Sequence, residues 1–193
     1  AYFTDKVPGF APLLRTSGLR SRSNKLMYDL RSQSVIDTFT GQARSGPMRK
    51  AGITLAQATV VVSTWGAWRT AHPKTTLLAR DGGIGREYPP NPLGGRDDRG
   101  PIFPVGDVDP RLPVHEVVLG ATGAQGQALA FPRAAVQLAL AAGQPVRLGG
   151  VEVRSEGGGL RAFVGGNEVM SQQSFWFAWS QFKPGTLLWT RGP

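Results

Sequence analysis

Residues 63–80 read STWGAWRTAHPKTTLLAR, residues 174–191 read SFWFAWSQFKPGTLLWTR, and the two align without a gap. Identities fall at Ser63 and Ser174, Trp65 and Trp176, Ala67 and Ala178, Trp68 and Trp179, Pro73 and Pro184, Thr75 and Thr186, Leu77 and Leu188, and Arg80 and Arg191. Four of the chain's five tryptophans sit in these pairs, so the two phrases mark a fold built from two related half-repeats. Each phrase predicts a helix of about two turns, capped by Ser63 or Ser174 and stopped before Pro73 or Pro184. Tryptophans three positions apart share a helix face. Trp65 with Trp68, and Trp176 with Trp179, are therefore expected as structural anchors that press inward rather than as a ligand-binding signature. The continuations TTLLAR (75–80) and GTLLWT (185–190) read as short strands.

The rest of the pattern fits a mainly antiparallel α+β protein with a few short helices. Strand candidates are 54–62, 116–121, 127–132, 145–155 and 159–166, the last two joined by glycine-rich turns as consecutive antiparallel strands. PRAAVQLALAAG supplies an alanine-rich helix ended by Gly143. Residues 88–113 hold seven of the fifteen prolines, interleaved with Tyr88, Leu93, Ile102, Phe103 and Val105, and read as an ordered strap packed across its neighbours. The expected organisation is a first half-repeat over 1–87, the strap over 88–113 and a second half-repeat over 114–193. The second phrase is preceded by strands and a helix that have no counterpart before the first, so the first half-repeat is expected to be amino-terminally incomplete.

Charge is uneven. Residues 1–50 carry nine Lys and Arg against three acids, a net +6, while the other 143 residues contribute +3 of the total +9. Arg15, Arg20, Arg22, Lys25, Arg31, Arg44, Arg49 and Lys50 are the candidate partner-binding residues. Such a surface favours an acidic protein face or anionic lipid headgroups. Nucleic acid is disfavoured as a partner because only Tyr28 and Phe39 interrupt the basic segment, too few for a stacking platform. No apolar run approaches the ~20 residues of a membrane span, and AYFTDKVPGF has neither the basic start nor the apolar stretch of a signal peptide.

The residues offer little for catalysis. There is no cysteine, which excludes disulfides, thiolate nucleophiles and cysteine metal sites within the chain. His72 falls at the end of the first tryptophan helix and His115 precedes a strand, neither with the partners of a metal site. Asp97, Asp98, Asp107 and Asp109 lack the spacing of a calcium loop and suit turns and caps. LGATGAQGQ (119–127) lacks the ending of a phosphate loop and reads as a hairpin turn. No G-x-S-x-G occurs. No catalytic residue, metal or cofactor is expected.

SGLRSRSNKLMYDLRSQSVIDTFTGQARSGPM, VVVSTWGAWRTAHPKTTLLAR, FPVGDVDPRLPVHEVVLGA and SFWFAWSQFKPGTLLW closely resemble, in order and spacing, the bacterial and archaeal family called domain of unknown function 3179. The resemblance covers residues 17–189; its most specific pieces are Ser17-Gly18-Leu19, Met27-Tyr28-Asp29, Thr40-Gly41-Gln42 and the two tryptophan phrases. It implies that members carry, just before the region matching Phe3, a C-P-x-C-G-T-A pair and a Trp-His-Glu sequence, which could ligate a metal or cycle as a dithiol. No residue of this sequence occupies those positions, so that chemistry does not carry over to it. The functional expectation is a non-enzymatic binding or scaffold protein, peripheral and extracytoplasmic, docking as an accessory subunit on a membrane-associated, for instance electron-transfer, complex. The alternative is the carboxy-terminal part of a metal- or thiol-dependent enzyme whose working residues lie upstream.

Overall fold

The computed structural model describes residues 2–77, 85, 87, 101 and 103–192. Among them, three sheets and four short helices form the α+β, mainly antiparallel architecture that the sequence pattern implies. The first sheet is an antiparallel meander of β1 (Leu14–Ser21), β2 (Asn24–Asp29) and β3 (Val35–Asp37). It occupies the basic segment, where LRTSGLRS carries no apolar alternation. The β1–β2 register shifts between Thr16 and Arg20, with Gly18 at φ 76° between them, an irregularity that erases the two-residue period. A short helix, α1 (Gly46–Lys50), seals a small core of Val7, Ile36, Met48 and Leu55. The first tryptophan helix, α2 (Trp65–Ala71), follows.

The second half opens with β4 (Val117–Thr122) and β5 (Ala128–Pro132), an antiparallel hairpin turned through Gly123–Gln127, as expected for LGATGAQGQ. Then come α3 (Arg133–Ala141), with Gly143 at φ 71° just past its end, and the meander β6 (Val146–Leu148), β7 (Val151–Glu156), β8 (Gly159–Val164) and β9 (Asn167–Val169). The chain ends with β10 (Ser171–Phe175), the second tryptophan helix α4 (Trp176–Phe182) and β11 (Leu187–Leu188). The central sheet has the order β10-β4-β5-β11, with β11 parallel to β5.

Period-two alternation in β4 and β5 divides the core between the two faces of that sheet. Leu119, Ala121, Leu129 and Phe131 join α3 and the β7–β8 hairpin in the larger cluster. Val118 and Ala130, on the other face, join Trp176, Trp179, Phe182 and Phe39. Gly120 shares that second face: a Cβ there would lie 2.0 Å from the Trp179 ring, so the indole reaches the strand backbone only because the position is glycine. Phe39 of the first half stacks on Phe182 at 4.2 Å between ring centroids and tilts against Trp179, which ties the first sheet to α4.

Several expectations are corrected. Residues 54–62 form no strand; Thr54 and Gln57 make isolated bridges to Gln42 and Tyr2, because a strand exists only where a neighbour supplies the ladder. The helix caps are Thr64 and Phe175, one residue after the expected Ser63 and Ser174; the Ser63 hydroxyl instead donates to the Gly157 carbonyl. Thr75–Leu77 is not strand, and residues 78–80 lie outside the described residues, as do 88–100 and 102 of the strap. The described end of the strap crosses α4: the Gln181 side chain donates to the carbonyls of Val105 and Asp107, and the Trp176 indole to that of Asp109 at 2.8 Å. Among the described residues no helix is long and apolar enough to cross a membrane.

Candidate functional site

The two tryptophan helices share their local geometry almost atom for atom. Both run for seven residues and stop before the prolines expected to end them, at Ala71 and Phe182. Their closing residues, His72 and Lys183, have φ −130° with ψ 69° and 63°, and donate their backbone N–H to Trp68 and Trp179. The Trp68 indole donates to the Thr75 hydroxyl at 3.0 Å and the Trp179 indole to the Thr186 hydroxyl at 2.9 Å. The Trp, Pro and Thr identities therefore form one device: the proline turn brings the threonine under the indole seven residues earlier.

Burial separates the copies. Trp176 is fully buried and Trp179 is 3 % exposed, as anchors should be. Trp65 is 43 % exposed, contrary to the expected inward face, and α2 has no buried residue. Trp68 is half-buried over the β7–β8 turn, where a Cβ on Gly157 would lie 3.2 Å from its ring. The structural reason lies in the preceding segment. Residues 171–175 are β10 and pair with β4 along their whole length, whereas residues 60–64, at the same place in the first copy, belong to no strand and leave Val60 and Val62 exposed.

All eight candidate partner-binding cations are exposed, in three groups on the first half. Arg20 and Lys25 face each other across the β1–β2 ladder with Arg22 in the turn beyond them. That tip is partly committed internally: Arg20 lies over Phe103 at 4.0 Å and Arg22 over Phe182 at 4.9 Å. Arg15 and Arg31 lie at the other end, where Arg31 donates to the Ala11 carbonyl. Arg44, Arg49 and Lys50 surround α1, with Arg49 donating to the Arg44 carbonyl. Of the eight, only Arg44 meets a carboxylate among the described residues, buried Asp37, at 2.8 Å. In the strap and the second half, by contrast, Arg111, Arg147, Arg154 and Arg161 are paired with Asp109, Glu152, Glu156 or Glu168, while Arg133 and Arg191 meet no carboxylate among the described residues. Side-chain hydrogen bonds from Arg111 hold the Asp109 carboxyl below its usual range, and the Arg111 backbone N–H closes an Asx turn on the same group, the turn role expected of that aspartate.

A cleft of about 530 Å³ opens where the first sheet meets β10, β4 and the start of α3. Its walls are largely apolar, with Phe39, Val62, Val117, Phe175 and Phe177 among them. The β10-β4-β5 ladder places Ser174, Val118 and Pro132 in one row across the sheet, and Arg133 follows Pro132 as the first residue of α3. Ser23, Arg133, Gln173 and Ser174 line the cleft, and each has a buried polar atom without a hydrogen-bond partner. Sequence reasoning missed this set, because its members come from three separate parts of the chain, the β1–β2 turn, α3 and β10, and belong to no motif.

Among the described residues no group of three or more His, Cys, Asp or Glu is placed to hold a metal ion. His72 closes α2, as expected, and lies 3.6 Å from Glu156; the His115 ring packs against Phe175 and Phe177. Asp97 and Asp98 lie outside the described residues.

Comparison with known proteins returned no match among curated proteins and none among solved structures. A family model described as "Protein of unknown function (DUF3179)" matches residues 1–156, which take in the first sheet, the first tryptophan phrase and the β4–β7 region. With most of its length inside that match, the chain belongs to the DUF3179 family.

Proposed function

We propose that this protein is a non-enzymatic docking subunit whose cationic first half binds an acidic face of a larger, membrane-associated assembly. The observation that carries this reading is the distribution of ion pairs. Arg15, Lys25, Arg31, Arg49 and Lys50 are exposed and face no carboxylate within ion-pair distance among the described residues, while Arg111, Arg147, Arg154 and Arg161 are paired internally. Surface ion pairs contribute little to stability. Leaving these cations unpaired therefore costs the fold little, and it preserves a field that steers association with an acidic surface.

In this reading the protein is peripheral and extracytoplasmic, and an electron-transfer complex is the kind of assembly it would serve. Arg20 and Arg22 hold the β1–β2 tip against Phe103 and Phe182, so the contact surface centres on the base of β1–β2 and on α1. The experiment is size-resolved purification from the native source at low and high salt. Co-migration with a larger complex at low ionic strength and release as the Debye length shrinks supports docking. Charge reversal at Arg15, Arg31 and Arg49 together should abolish co-migration without changing the unfolding midpoint. Migration as a free monomer under both conditions contradicts the proposal. Binding to anionic vesicles in place of a protein complex would reassign the partner to lipid.

A further inference from the structure

We propose that the cleft between the first sheet and α3 binds a small organic monocarboxylate, an apolar body carrying one carboxylate group. Its volume, about 530 Å³, falls within the range of ligand pockets, and apolar walls with a few convergent polar groups are what such pockets show. The polar groups are the argument. The Arg133 side chain makes no ion pair among the described residues, and its Nε is buried without a hydrogen-bond partner. Both amide atoms of Gln173 and the hydroxyls of Ser23 and Ser174 are buried without partners as well. Donors and acceptors held out of water cost free energy unless something satisfies them. Arg133 and Gln173, both lining the cleft with such atoms, form the pair that a ligand there would satisfy.

The lining fixes the partner's chemistry. Among the described residues lining the cleft, Arg133 is the one that is charged, and no Asp or Glu lies among them to offset it. A guanidinium offers paired N–H groups matched to a carboxylate, and one guanidinium balances one charge. A phosphate monoester brings close to two negative charges and would leave part of its charge uncompensated. Phe39, Phe175 and Phe177 provide flat apolar surface for the body of the ligand. Gln173 and Ser174 are neighbours on β10 and project from opposite faces of the strand, so the Gln173 amide is the group assigned to the carboxylate's second oxygen. This site is separate from the docking surface, since none of Arg15, Arg31, Arg49 and Lys50 lines it.

The test uses the full chain, titrated with benzoate, octanoate and 1-naphthoate, with naphthalene-1-methanol as the neutral analogue and 1-naphthyl phosphate as the dianionic one. Saturable binding of at least one carboxylate is expected, weakened about tenfold or more by Arg133→Gln. The alcohol should bind no more tightly to the wild type than 1-naphthoate binds to Arg133→Gln. Gln173→Leu, on β10, should weaken the carboxylate about threefold or more and keeps the test decisive if Arg133→Gln does not fold. The proposal is overturned if no carboxylate binds saturably, which would mean that water alone satisfies these groups. It is equally overturned if the alcohol binds as well as the acid, if neither substitution matters, or if the phosphate binds more tightly than every carboxylate.

Discussion

Helices α2 and α4 carry the same phrase and the same indole-to-threonine hydrogen bond, yet one lies at the surface and the other at the centre of the molecule. The difference shows what a short sequence phrase decides. Trp, Pro and Thr set the length of the helix, its closing geometry and the position of the indole N–H, all within eleven residues. They do not set burial. Burial of α4 comes from elements far away in the chain: Gly120 of β4 opens space for Trp179, Phe39 of the first sheet stacks on Phe182, and the Asp109 carbonyl receives the Trp176 indole. Around α2 the described residues supply the Gly157–Gly159 turn and Glu156, which faces His72.

The largest effects should come from removing the anchors themselves. Trp179→Ala or Trp176→Ala should cost about 3–5 kcal/mol, the range for emptying an aromatic from a core, whereas Trp65→Ala should cost about 0.5 kcal/mol or less. Urea denaturation of the three variants checks this, and equal losses at Trp65 and Trp176 would erase the contrast. Next come the glycines. Gly120→Ala drives a methyl group into the Trp179 ring and should destabilise by about 1–3 kcal/mol. Gly66→Ala, in open space within α2, should stabilise by roughly 0.5–1 kcal/mol. The hydrogen-bond pair gives a smaller split. Thr186→Val strands a buried indole N–H and should cost about 1–3 kcal/mol, while Thr75→Val leaves its indole access to water and should cost about 0.5 kcal/mol.

Acid should weaken the first half by a separate route. Burial pulls the Asp29 carboxyl upward, but the Ser32 side chain and hydrogen bonds from the Leu13 and Ser32 backbone N–H groups outweigh it and hold the group below its ordinary value. A carboxyl depressed in the folded state contributes stability above its unfolded value of about 3.9, and that contribution is lost as pH falls through the lower folded value. The unfolding midpoint should therefore drop between pH 5 and pH 3 by a larger amount in the wild type than in Asp29→Asn. Parallel curves would show that Asp29 does not titrate with folding.

Legibility in the sequence follows the same divide between local and distant causes. Strands β4 to β8 and helix α3 were readable because alternation and alanine-rich periodicity are local signals, and Gly143 and the β4–β5 turn residues punctuate them where the structure turns. The β1–β3 sheet left no such trace, since its bulge at Gly18 breaks the alternation and its strands bury few apolar side chains. Residues 54–62 had the composition of a strand and found no neighbour to pair with. The cleft was invisible for a related reason: Ser23, Arg133, Gln173 and Ser174 are ordinary residues until folding puts them along one cavity.

The measurement that bears most directly on the central claim is solvent exposure of the individual indoles, one copy in the core and one left at the surface. The protein labelled with 5-fluorotryptophan would be assigned by single Trp→Phe substitutions and read by 19F NMR in H2O and D2O. The account predicts no solvent isotope shift for Trp176 and Trp179, a clear one for Trp65 and an intermediate one for Trp68. A Trp65 signal as protected as that of Trp176 would contradict it.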